Sequence, residues 1–192
     1  MNLLPLLRDC TDMMRLRYRD DAAAYRYDAP VFFLIIVALG ALHAATLAPL
    51  FGSDMAVFAF AVVVAAVRWL VLTHAMTAVL HYFGSPQIPF LGYTLAGEAL
   101  ALPTVFFFYL PPAAGLIANA WLMWAFWAQT AGFMALSKQS LGKVLLGYIV
   151  YLLGSAVITY IFFTLFLAAG WLDADTLQKN LETFLQLLQA ER

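Results

Sequence analysis

The sequence predicts an all-α protein: a polytopic membrane bundle of about five transmembrane helices, with an amphipathic helix at its C-terminal end. Three observations carry this. Hydrophobic residues make up 65% of the 192-residue chain and charged residues 11%, against roughly 45–50% and 25% in soluble domains. The apolar residues fall into runs of about 20, the length a helix needs to cross a hydrocarbon core about 30 Å thick. Lys and Arg gather in alternate gaps between those runs.

The elements follow in order. Residues 1–29 form a cytoplasmic or interfacial segment, in which Leu3, Leu4, Leu6, Leu7, Met13, Met14 and Leu16 are mixed with five arginines and five aspartates. Such a mixture suits a short helix lying along the headgroups before Pro30. It is unlike the short basic leader of a secretory signal, so no cleaved signal is expected. Residues 30–171 form the transmembrane domain, with spans at Val31–Phe51, Met55–Leu80, Ile88–Tyr109, Ala113–Leu136 and Val144–Gly170. Turn residues separate them: Gly52-Ser53-Asp54, Gly84-Ser85-Pro86, Pro111-Pro112, and the polar stretch from Ser137 to Lys143. Residues 172–192 form the amphipathic tail. Leu177, Leu181, Phe184, Leu185 and Leu188 fall on one helical stripe, which needs cover from a partner or the membrane surface.

Orientation follows from the basic residues. Arg8, Arg15, Arg17, Arg19 and Arg26 precede the first span, and Lys138 and Lys143 sit between the fourth and fifth. Five spans put both groups on one side, which places the N-terminus in the cytoplasm, in a bacterial inner membrane. The net charge of −1 offers nothing to nucleic acid. A single cysteine, Cys10, allows neither an internal disulfide nor a cysteine metal cage.

Charges inside a span are costly, about 2.5–3.5 kcal/mol each at the centre on translocon scales, so each requires an account. Arg68 in the second span and Glu98 in the third stand out. Counted from the cytoplasmic helix ends at about 1.5 Å per residue, Arg68 lies roughly 20 Å deep and Glu98 roughly 12 Å. His74, at roughly 12 Å, and Gln129, at about 10 Å, match Glu98 better. The expected buried polar layer is therefore His74, Glu98, Gln129 and Thr94, with Arg68 a separate intramembrane charge. Such a layer serves either to order the bundle or to line a hydrated pocket.

Other chemistry finds little support. His43, His74 and His81 offer no pair at one depth on two helices, as a bis-histidine haem would need. His43 and Ser155 share a depth, but no nucleophile elbow or zinc-protease motif accompanies them. No metal, cofactor or catalytic residue is expected. Trp121, Trp124 and Trp127 read as a packing or lipid-facing ridge. Small residues at helical spacing, Ala128 with Gly132 and Gly147 with Ser155, mark close-packing faces. Helix three is irregular, with Pro89, Gly92, Gly97 and Pro103 around Glu98.

Leu91-Gly92-Tyr93-Thr94-Leu95-Ala96 followed by Pro103, and the run from Ala135 to Leu146, resemble the third-helix region and last polar loop of Yip1-family membrane proteins. The resemblance spans roughly residues 30–170 and implies five spans with a cytosolic N-terminus. The eukaryotic family motif Asp-Leu-Tyr-Gly-Pro, linked to Rab-dependent trafficking, is missing here. The expected function is a non-catalytic scaffold or accessory subunit of a membrane complex. Its partners would be other membrane proteins and the bilayer. The alternative is a small-solute or proton pathway using Glu98 and His74.

Overall fold

Proline and glycine set the helix ends much as the sequence predicts. Pro30 stands in the first turn of its helix, where the missing N–H costs nothing. Gly84 closes the next helix at φ +90°, a backbone region that side chains other than glycine disfavour. The computed structural model describes residues 2–110, 115–173, 178–180 and 182–183. Its helices are α1 (Leu4–Met14), α2 (Ala29–Phe51), α3 (Met55–Tyr82), α4 (Leu91–Ala99), α5 (Gly115–Ser137) and α6 (Leu141–Ala168). Two 3-10 segments, Ala22–Ala24 and Leu102–Tyr109, complete the order.

Among the described residues three helices, α2, α3 and α6, are long and apolar enough to cross a bilayer, which marks a multi-pass membrane protein. The other two expected spans take different forms. The third splits, because Pro103 cannot donate to the Ala99 carbonyl and its ring disfavours α geometry at Leu102. The chain tightens there through i→i+3 bonds, from Leu100 to Gly97 and Ala101 to Glu98, and continues as a 3-10 segment. The fourth, α5, has the length, but Asn119, Gln129, Thr130 and three tryptophans dilute its aliphatic content.

Helix α3 is the centre of the bundle, with α2 along one side and α6 along another. Gly147 of α6 makes the second contact close: a Cβ there would lie 2.6 Å from Met76 Sδ. Ser155 is buried and donates to the Leu152 carbonyl of its own helix at 3.1 Å, so it too behaves as a packing residue. Ala128 and Gly132 serve a different end from the expected helix–helix face. Tyr18 donates its hydroxyl to the Ala128 carbonyl at 2.8 Å, and the space beside Gly132 is filled by the Tyr93 hydroxyl and the Tyr18 ring.

The N-terminal segment contains the expected short helix, α1, which packs against α4 and α5. Cys10 Sγ donates to the Ala96 carbonyl at 3.5 Å, and Trp124 Nε1 donates to the Met14 carbonyl at 3.1 Å. A buried carboxylate holds this arrangement. Asp9, 2% exposed, pairs with Arg19 at 2.5 Å and accepts from the Tyr27 hydroxyl at 2.8 Å. Arg19 is held in turn by the Ala24 carbonyl at 2.7 Å and stacks over the Tyr25 ring. The sequence shows these arginines and aspartates as near-neutral composition; the fold makes one pair of them a clasp.

The C-terminal stripe residues Leu177, Leu181, Phe184, Leu185 and Leu188 lie outside the described residues. Within the tail, Gln178–Asn180, Glu182 and Thr183 are helical, and Asn180 Nδ2 donates to the Leu50 carbonyl at 3.0 Å.

Burial, with a smaller push from Asp9, raises the Cys10 thiol from 9.0 to about 12. The undocked thiol ionises first, so docking of α1 is fully favoured below about pH 9 and loses that contribution as pH rises toward 12. Maleimide labelling of Cys10, which requires thiolate, should therefore be slow at pH 8 and report undocking. Asp9→Leu strands Arg19 and Tyr27 and should speed labelling at least tenfold. An unchanged rate would show that the clasp does not hold α1.

Candidate functional site: a polar layer around Arg68 and Glu98

The register of α3 against α4 decides which polar groups meet. Thr73 Oγ1 and Thr94 Oγ1 lie 2.6 Å apart, and Trp69 Nε1 donates to Thr94 Oγ1 at 3.1 Å and the Leu91 carbonyl at 3.3 Å. Each threonine also bonds to its own helix, Thr73 to the Trp69 carbonyl and Thr94 to that of Phe90. Thr73 is nine residues from the end of α3 and Thr94 three from the start of α4, so α4 starts well below the end of α3, and Ser85, Ile88 and Phe90 in the connection are buried. From the threonine contact, Arg68 is about 7.5 Å back along α3 and Glu98 about 6 Å on along antiparallel α4. Those two residues share a level.

This corrects the expected layer. Counting depth from helix ends treated Gly84–Pro89 as a surface turn, which set Glu98 too shallow. His74 is not its neighbour: it is exposed, and its Nδ1 donates to the Leu70 carbonyl at 2.8 Å. The groove beside it is lined by Leu70, Val71, Ala78 and Gly154 and faces away from Glu98. His74 and Glu98 therefore do not share a path. Thr94 belongs to the register contact with Thr73, while Gln129 is placed as expected, next to Glu98.

The layer that forms is Arg68, Glu98, Gln129, Tyr148 and Tyr151. Arg68 Nε donates to the Tyr151 hydroxyl at 3.1 Å. The Tyr148 hydroxyl donates to Gln129 Oε1 at 2.7 Å, which turns the amide nitrogen of Gln129 toward Glu98 and Gly97. Gly97 is needed for this, because a Cβ there would collide with Gln129. Tyr93 donates to the Gln129 backbone carbonyl at 2.7 Å. A cleft of about 490 Å³ opens beside the layer, lined by Leu72, Glu98, Phe126, Gln129, Tyr148 and Tyr151.

Arg68 and Glu98 feel each other's charge without forming an ion pair within 4.0 Å. The arrangement suits two opposite charges kept inside an apolar bundle, each with polar neighbours from other helices. His43 stands near Arg68, and its Nδ1 is buried without a hydrogen-bond partner. Ser155, bonded to its own helix, is not its mate. Among the described residues no group of three or more His, Cys, Asp or Glu is placed to hold a metal ion.

The sequence reading missed Tyr148, Tyr151, Thr73 and Trp69. A signal was present: Tyr148 and Tyr151 lie on the same side of α6 as Gly147 and Ser155, and a buried tyrosine hydroxyl needs a partner. No family model matches the chain, and no match is found among curated proteins or among solved structures.

Glu98→Gln keeps the shape and the contact to Gln129, whereas Glu98→Leu leaves that amide without an acceptor, at a cost of about 1–3 kcal/mol. Thermal unfolding in mild detergent should separate the two, with the Gln variant closer to wild type. Equal midpoints would mean that Glu98 points into water or headgroups rather than into the layer.

Proposed function

We propose that the chain is a non-catalytic integral membrane scaffold or accessory subunit of a larger membrane complex. The Yip1-like order of features, the cytoplasmic N-terminus and a bacterial inner membrane belong to the same reading.

One observation carries it: the charged face of α1 stands beside the middle of the bundle. Cys10 meets Ala96, half a turn from Glu98, and Glu98 is level with Arg68 at the midpoint of α3. A 28-residue helix is about 42 Å long, against a hydrocarbon core of about 30 Å. Wherever the core falls along α3, that midpoint stays at least roughly 9 Å inside it. Yet Arg8 there is 81% exposed, with only Asp12 at 3.9 Å for company. Turned to acyl chains, each charge would cost on the order of 2.5–3.5 kcal/mol. Polar groups of a partner protein against this flank remove that cost. The opposite side of the bundle makes no such demand, since α6 presents Leu145, Ile149, Leu153, Val157 and Ile161 outward.

Photo-crosslinking in native membranes tests this. A photoreactive residue at Thr11, between Arg8 and Asp12, should give protein adducts, and one at Leu153 should give lipid adducts. Lipid adducts alone at position 11 would remove the scaffold reading. Orientation is checked separately in a Cys10→Ser background. A cysteine at Gln139 should be shielded from an impermeant thiol reagent in intact cells, and ready labelling would reverse the topology.

A further inference from the structure

Arg68 faces two spaces. On one side is the layer with Tyr151 and Glu98; on the other is a furrow of about 540 Å³ between α2, α3 and α6. The furrow runs from Arg68 and Leu152 past Val64, Phe60 and Phe163 to Phe51 and Leu47 at the α2–α3 turn. Its walls are aliphatic and aromatic, with the hydroxyls of Ser155, Thr159 and Tyr160 as further polar groups. Leu152 and Tyr160 on its rim are exposed, so it opens sideways, toward lipid.

The chemistry of Arg68 defines what fits. Nε is engaged by Tyr151, and no described residue bonds the two terminal nitrogens. That leaves the outer edge of the guanidinium, a planar pair of donors, for a planar two-oxygen acceptor. The nearby carboxylate, Glu98, lines the other space. The volume lies in the range of about 300–1,000 Å³ that holds one small ligand, and the shape is a long apolar run with one cation at its end. A two-chain phospholipid is too large for a single furrow of about 540 Å³.

We propose that this furrow binds one single-chain anionic amphiphile, a long-chain carboxylate, with its head on Arg68 and its chain along Val64, Phe60 and Phe163. The carboxylate completes the hydrogen bonding of the guanidinium where water is absent, and the chain covers the aromatic floor. The site is independent of the partner flank on α1, which lies across the bundle.

Equilibrium binding of radiolabelled oleate to the full chain in nanodiscs tests the site, with oleyl alcohol as competitor. Saturable binding at one oleate per chain is expected, with the alcohol a poor competitor. Arg68→Met should weaken binding at least tenfold and Arg68→Lys less. Ala156→Phe, which fills the furrow without touching the charge, should abolish it. Equal competition by the alcohol would overturn the assignment, as would undiminished binding by a folded Arg68→Met protein. Should Arg68→Met fail to fold, the Ala156→Phe variant and the competition carry the decision: oleate bound as tightly by Ala156→Phe as by wild type would place it elsewhere.

Discussion

A guanidinium halfway along a 28-residue apolar helix has no bulk water within reach, and the rest of the bundle is arranged around that fact. Arg68 cannot shed its charge, so neighbouring helices must supply its hydrogen bonds. Tyr151 does so from α6, and Glu98 supplies opposite charge from α4. Glu98 comes level with it only because α4 begins deep. The threonine contact between α3 and α4, braced by Trp69, sets that depth, and Ser85, Ile88 and Phe90 are buried along the connection that leads down to it. One charge thus explains why helix three starts late, and Pro103 then ends its α geometry early.

The second buried charge is handled differently. Asp9 is in the short N-terminal helix, and its partners are Arg19 and Tyr27 of its own segment. Both partners come from residues that follow α1, so the pair folds the segment back on itself and lays α1 against α4 and α5. A buried ion pair of this sort adds little net stability, since desolvation offsets most of the attraction. Its effect is to select one docking of α1 among several that its apolar face would allow.

Much of this was legible in the sequence. Helix positions follow from apolar runs and from Pro and Gly, and α2, α3, α5 and α6 begin and end within a few residues of the expected spans. Glu98 and Gln129 are neighbours as the sequence reading expects, although the depth of Glu98 was counted from a misread turn. The error at His74 came from one turn. Gly84–Pro89 looks like a surface loop by composition, and nothing local says that Ser85 and Phe90 are buried. A shift of about two turns in α4 exchanged His74 for Arg68 as the neighbour of Glu98. The N-terminal segment was illegible for a different reason: which arginine pairs with Asp9 depends on the path of the chain, and five arginines satisfy the composition equally.

The two charge solutions also divide the surface. Arg68 is enclosed by α3, α4 and α6, and the helices around it turn aliphatic residues outward, so that side is suited to lipid on every face except the furrow. Asp9 is enclosed by the segment that carries it, and this leaves Arg8, Thr11 and Asp12 on the outside of α1 at the same level. Satisfying one charge inside has brought others to the flank, where acyl chains are poor company. On the proposed reading α6 is the lipid-facing side, and α1 is the side where a polar surface of another protein would offset the cost of those charges.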